Sequence, residues 1–177
     1  AITEDFLEKN SWLGSKLQYV RLENDPGLYE CWNQGIRMAD TEFVGNANTD
    51  DKRSPYQITE LVDLLDLQKN LAGAASALRV SQHSDHSWFD FEPGEVWFDW
   101  LDKRIYGCED LFRIDDGLVK STNFMHCLPI WRRELHHRFG FFDESKYGTS
   151  ADWAFWLKCG LAGERFAFDN RPMGTYF

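Results

Sequence analysis

Between Leu17 and Asp51 the hydrophobic period of the chain changes twice, and this limits the fold more than any other feature. Leu17 to Glu23 alternates with period two and is rich in strand formers, so it is predicted to be a strand. Asn24-Asp-Pro-Gly27 is a strong turn. From Leu28 to about Ala39 the spacing becomes helical. Leu28, Trp32, Ile36 and Ala39 fall at i, i+4, i+8 and i+11, one stripe suited to face a sheet. Phe43 to Ala47 is an apolar-rich run of strand length. It ends in Asn48, Thr49, Asp50 and Asp51, and Pro55 soon stops further pairing. Strand, helix, strand with short joints reads as a βαβ unit, which implies parallel pairing and an α/β fold.

The rest of the chain can be read the same way. Ile2 to Asn10 has helical spacing, with Thr3 as its cap. A helix is predicted from Pro55 to about Asn70, capped by Ser54, with Ile58, Leu61, Val62 and Leu65 facing inward. The later part of Leu71 to Val80 reads as a strand, and Phe124 to Trp131 as a strand-like run. Arg132 to Arg138 is a short helix ended at Gly140. Asp152 to Lys158 opens another helix, which stops near Gly160, and Arg165 to Asp169 is a last strand. Residues 81–122 form an irregular, aromatic-rich excursion carrying Trp88, Phe89, Phe91, Trp97, Phe98 and Trp100 among many acids. It is read either as an acceptor-binding wall or as a small satellite core under a loop. His83-Ser-Asp-His86 has a metal-like look but no helix beneath it to fix the geometry.

Composition narrows the function. A chain of 177 residues with 43% hydrophobic content can bury a real core. A formal charge of −10 argues against sequence-independent nucleic-acid binding, which needs Lys and Arg against phosphate. It suits a site that borrows positive charge from metal ions. The 16% aromatic content serves core packing, and aromatic faces also stack on sugars and bases. Cys31, Cys108, Cys127 and Cys159 lie far apart with no Cys-x-x-Cys pair. A zinc ribbon is thereby disfavoured, and the four read as buried free thiols in a reducing compartment. No apolar run approaches the ~20 residues that span a bilayer. No Gly-x-Gly-x-x-Gly or Gly-Lys-Ser/Thr loop is present, which disfavours a Rossmann dehydrogenase or P-loop kinase.

The chemistry gathers at two acidic positions. Ligands of open α/β sheets bind beyond the carboxyl ends of the strands, where Asp50 and Asp51 stand. Adjacent carboxylates repel unless a cation sits between them, and Mg²⁺ or Mn²⁺ takes such oxygens while keeping places for phosphate. The plainer reading is a solvated turn. Asp152 falls in the first turn of its helix, where the helix dipole alone favours a carboxylate.

Three segments, in order, resemble the family 2 glycosyltransferases, inverting enzymes of the nucleotide-diphospho-sugar transferase fold called GT-A. They are Asn24 to Ala39 with its Asn33-Gln-Gly35, Phe43 to Asp51, and Arg132 through Gly140-Phe-Phe-Asp-Glu144 to Asp152-Trp-Ala-Phe-Trp-Leu157. The likeness covers about three quarters of the chain. It implies a GT-A-like mixed, mostly parallel sheet flanked by helices. It also implies a sugar moved from a nucleotide-diphospho-sugar to a hydroxyl of a glycan, a lipid-linked or a protein acceptor. Asp51, with Asp50, would bind Mn²⁺ or Mg²⁺ against the donor diphosphate, Asp152 would be the general base, and Asn48, Asp50, Arg53 and Asn33 would bind the donor. Asn48 stands where the family usually has an Asp, and Ala151 where an acid often precedes the base. The Gln-x-x-Arg-Trp motif of processive synthases is absent, which favours single-sugar transfer in surface polysaccharide or glycan synthesis. The resemblance suggests a cytoplasmic protein and leaves room for peripheral association with the inner face of a membrane. The family opens with a strand–helix–strand unit that has no counterpart before Ala1. Residues 1–177 are therefore expected to be one incomplete domain, its sheet completed by a missing segment or a partner chain. The alternative is a carbohydrate- or protein-binding domain that keeps the fold without catalysis.

Overall fold

The computed structural model describes residues 2–81, 96–97, 104–107, 112–115 and 118–177. Helix α1 (Ile2–Lys9) leads through a 3₁₀ segment, Ser11–Lys16, into an extended stretch and then α2 (Leu28–Met38). Strands β1 (Phe43–Gly45) and β2 (Lys52–Arg53) are short. Helix α3 (Gln57–Leu67) and the long strand β3 (Leu71–Val80) follow. Strands β4 (Val96–Trp97), β5 (Arg104–Tyr106), β6 (Phe112–Asp115), β7 (Leu118–Ser121) and β8 (Ile130–Arg132) come next. The chain ends with helices α4 (Glu134–Phe139), α5 (Glu144–Tyr147) and α6 (Ala151–Leu161), and strand β9 (Arg165–Tyr176).

The architecture is mixed α/β. The main sheet runs β1-β8-β3-β9-β2, with β4 beside β3 and β5 beside β9, and β6 and β7 form a separate pair. Strand β3 lies at its centre and is buried from Leu71 to Leu78. Its small side chains match crowding from both faces. A Cβ on Gly73 would sit 2.9 Å from Met125 Cε and 3.0 Å from Trp131 Cβ. On one face Ala72, Ala75 and Ala77 join Tyr29 and Ile36 of α2 and Phe155 and Trp156 of α6 in the larger core cluster. Leu71 and Ala74 join Leu61 and Leu65 of α3 in a second cluster.

The expected sheet was mostly parallel; the observed one is mixed. Among the described residues β3 and β9 are parallel, whereas β1–β8, β3–β8, β2–β9, β3–β4 and β5–β9 are antiparallel. The βαβ unit predicted from Leu17 does not form. Leu17 to Glu23 stays outside the sheet because its alternation puts mixed polar and apolar residues on both faces, so no register buries a clean apolar side. Strand β9 is longer than predicted. It passes Pro172 by shifting register between Ser76–Asp169 and Ala77–Pro172, where Asp169 Oδ1 accepts Arg171 N–H at 2.9 Å.

Two helix stripes also differ from expectation. In α2 the buried residues are Tyr29, Asn33 and Ile36, while Leu28 is half exposed. Polar partners turn the helix, as the site shows below. In α3 Ile58 faces solvent and Gln57 is fully buried, its amide donating to Ser76 Oγ at 3.1 Å. Ser54 does not cap α3: its Oγ is buried without a partner among the described residues. Cys31 is exposed, against expectation, whereas Cys127 and Cys159 are buried, and all three are free thiols. Cys108, the His83–His86 pair and most of the 81–122 excursion lie outside the described residues. The parts of that excursion that are described supply β4 and β5 to the main sheet. No helix among the described residues is long and apolar enough to cross a membrane.

Candidate functional site

The acidic rim is built by a loop between two short strands. Strand β1 ends at Gly45, and the chain passes through Asn46 to Asp51 before β2 pairs with β9. Asp51 is half-buried and Asp50 exposed. Asp51 Oδ2 accepts from Asn48 Nδ2 at 2.6 Å and from the Cys127 thiol at 3.3 Å, and its Oδ1 accepts from Phe177 N–H at 3.4 Å. Burial pushes the Cys127 thiol pKa far up, and the adjacent Asp51 charge adds to this, so Cys127 is a neutral donor here. The Asn48 amide gives its nitrogen to Asp51 and leaves Oδ1 buried without a partner among the described residues.

Asp152 is built more firmly. It is buried in the first turn of α6, where the helix dipole favours a carboxylate. Tyr29 Oη donates to its Oδ1 at 2.9 Å, and Asn123 Nδ2 donates to its Oδ2 at 2.9 Å. Tyr29 is held from its other end too. Its backbone N–H donates to Glu144 Oε2 at 3.1 Å, so the glutamate of the Phe-Phe-Asp-Glu segment caps α2. Gly27, at φ 93°, lets that carboxylate approach: a Cβ there would meet Glu144 Cδ at 2.9 Å. Burial raises the Tyr29 phenol pKa, and the Asp152 charge and hydrogen bond push it further, so the phenol stays protonated.

Asp152 and Asn48 line one cleft of about 560 Å³, together with Tyr29, Trp32, Asn123 and His126. Glu144, Trp153 and Tyr176 complete its polar and aromatic walls. His126 packs edge-on against Tyr176, centroids 5.2 Å apart. Burial lowers its pKa, and the charges of Asp152 and Asp51 both oppose this. Among the described residues that line the cleft there is no Lys or Arg.

Two of the predicted donor-binding residues serve the fold. Asn33 makes a reciprocal clamp with Phe142: Nδ2 donates to its carbonyl at 2.9 Å, and Oδ1 accepts its N–H at 3.1 Å. Arg53 donates to the carbonyls of Asn46 at 2.6 Å, Leu128 at 2.9 Å and Pro129 at 3.4 Å, and to Gln57 Oε1 at 2.5 Å. This braces Leu128, which has the uncommon φ of 51° for a leucine. Burial lowers the Arg53 pKa to about 10, opposed by nearby negative charge that includes Asp51. Asn48, whose amide donates to Asp51, and Asp152 thus line one cleft, Asp50 is exposed, and Asn33 and Arg53 turn inward.

Tyr29, Asn123, His126 and Glu144 were not expected at the site. Glu144 closes the Gly140-Phe-Phe-Asp-Glu144 stretch and could have been found there. Asn123 stands alone in an irregular stretch and carries no local signal.

The expected cation can be tested against these side chains. Among the described residues no group of three or more His, Cys, Asp or Glu is placed to hold a metal ion. The hard-oxygen candidates are the carboxylates of the half-buried Asp51 and of its exposed neighbour Asp50. That set fits Mg²⁺ or Mn²⁺ shared with a phosphate ligand, because Mg²⁺ characteristically takes one or two carboxylates and completes its shell with substrate oxygens and water. The chain matches no protein-family model and no curated protein.

Proposed function

We propose that this chain is a metal-dependent inverting glycosyltransferase domain of GT-A type, which moves a sugar from a nucleotide-diphospho-sugar to an acceptor hydroxyl. The observation that carries the reading is a cleft lined both by Asp152, a buried and doubly held carboxylate, and by Asn48, whose amide donates to Asp51. In this reading Asp152 accepts the proton of the attacking hydroxyl. The hydroxyl oxygen forms the new bond to the anomeric carbon from the face opposite the leaving group. The bond to the nucleotide diphosphate breaks as it forms, so one base suffices and configuration inverts. Bound Mn²⁺ or Mg²⁺ would neutralise the charge developing on the leaving diphosphate, with Asp51 and Asp50 as its protein ligands.

A second reading is a non-catalytic carbohydrate-binding domain. It is favoured by the inward-turned Asn33 and Arg53 and by the aromatic walls of Trp32, Trp153 and Tyr176, which suit sugar stacking without a donor. Isothermal titration of the protein with UDP and with GDP, each with and without Mn²⁺, separates the two. The transferase reading expects binding of one nucleotide that disappears with chelator. No nucleotide binding under either condition would favour the second.

A further inference from the structure

We infer that Tyr29 and Asn123 are positioning residues for Asp152, which aim its carboxylate into the cleft and set its competence as a base. The inference rests on the transferase reading above. Tyr29 comes from α2 and Asn123 from the stretch before β8, and they take one carboxylate oxygen each at 2.9 Å. An acid that served only to cap the start of α6 would turn toward the free N–H groups of its own helix. Asp152 instead spends both oxygens on side chains from distant parts of the chain.

The two contacts are specific to the carboxylate. Tyr29 has one hydroxyl hydrogen and two acceptors within reach, Asp152 Oδ1 and the Thr149 carbonyl, both at 2.9 Å. The ionised carboxylate is the stronger acceptor of the two. Asn123 gives its nitrogen to Asp152 and leaves its own Oδ1 buried without a partner among the described residues. Turning the amide over would set that oxygen against the carboxylate. The side chain therefore stays as it is because of Asp152, and an unsatisfied acceptor is tolerated to keep the contact. Each donor engages one lone pair of an oxygen that has two. The carboxylate is fixed in direction and still able to accept a substrate proton.

Tyr29 is itself restrained at three points. Its N–H is held by Glu144, and its ring packs against Trp32 at 5.0 Å and Phe142 at 5.7 Å. Helix α2 and the start of α6 are in this way joined through a single residue whose polar tip reaches Asp152.

The test uses Tyr29→Phe, which keeps the ring packing, and Asn123→Ala, each made alone and in an Asp152→Asn background. Steady-state transfer from a panel of nucleotide-sugars is measured beside calorimetric affinity for Mn²⁺ with UDP or GDP. Each single variant should lose roughly 10- to 100-fold in kcat, as expected for a misaimed catalytic group. Nucleotide affinity and donor KM should stay within about twofold. In the Asp152→Asn background neither change should cost anything more, because both act through that carboxylate. Full kcat in both single variants, or an undiminished further loss beside Asp152→Asn, overturns the positioning role and leaves the transferase reading standing. A wild-type protein that neither transfers sugar nor binds nucleotide with Mn²⁺ overturns both.

Discussion

The cleft wall at Asp152 and the wall at Asn48, whose amide holds Asp51, are built to different standards. Asp152 is buried on an eleven-residue helix, and both its oxygens are held by directed donors from other elements. Asp51 is half-buried on a loop, and its partners are a neighbouring amide, a weak thiol donor and the N–H of the last residue at 3.4 Å. The first wall is complete without a ligand. The second leaves one buried amide acceptor, Asn48 Oδ1, without a partner among the described residues. The difference is what a reaction with one fixed base and one ligand-completed charge site would need. General bases work through a geometry set in advance, whereas Mg²⁺ characteristically draws much of its shell from substrate and water.

The largest effect should come from the rigid wall. Asp152→Asn keeps the shape but removes the base, and should lower sugar transfer by roughly 10²- to 10⁴-fold while nucleotide affinity holds. Turnover equal to wild type would show that Asp152 serves only its helix.

Arg53 sharpens the contrast, because the resemblance assigns it to the donor and the structure to the backbone. Arg53→Met removes a half-buried cation that donates to three carbonyls and should lower the unfolding free energy by about 2–4 kcal/mol, read from urea midpoints. Nucleotide affinity in the folded variant should change little. Intact stability with lost nucleotide affinity would return Arg53 to the donor site.

A third prediction concerns the core behind the rigid wall. His136 is buried between the rings of Phe155 and Phe141, centroids 4.6 and 5.4 Å away. Its Nε2 accepts from Trp131 Nε1 at 2.9 Å, so its proton lies on Nδ1, 3.0 Å from the Gly140 carbonyl. Burial lowers its pKa to about 4, against the Gly140 hydrogen bond, which raises it. The folded value lies below the unfolded one, so the unfolded chain binds the proton first as pH falls. Stability is complete above about pH 6.5 and should drop by about 3 kcal/mol on approaching pH 4. His136→Gln, whose amide can accept from Trp131 without titrating, should flatten that part of the pH–stability curve. An unchanged slope would mean that His136 already titrates freely.

The smallest effect belongs to the loose wall. Asp51→Ala should weaken Mn²⁺-dependent nucleotide binding by about tenfold, equal to about 1.4 kcal/mol, with the fold intact. Unchanged affinity would remove Asp51 as a cation ligand.

These walls also differ in how far the sequence disclosed them. Asp51 and Asp152 stand out in the sequence because each lies beside a periodic segment, a strand end in one case and a helix start in the other. Helices α2, α3 and α6 and strand β3 were visible for the same reason. Tyr29 and Asn123 were not, since they meet Asp152 across separations of 123 and 29 residues, and no local pattern records such a contact. Asn33 and Arg53 make backbone contacts that the sequence does not disclose, because a polar residue near a motif has the same signature whether it binds a ligand or its own backbone. Strand direction was misread from Leu17 to Glu23. Alternation there gave strand propensity, but pairing requires a face worth burying, and neither face of that segment is apolar.

The central claim is that one cleft joins a preset base to a cation-borne diphosphate. Proton NMR of the anomeric signal during incubation with nucleotide-sugars and Mn²⁺ tests it most directly, with Asp152→Asn and a chelator as controls. The account predicts a product of inverted anomeric configuration that vanishes in both controls. A product of retained configuration, or one formed equally well by Asp152→Asn, would contradict it.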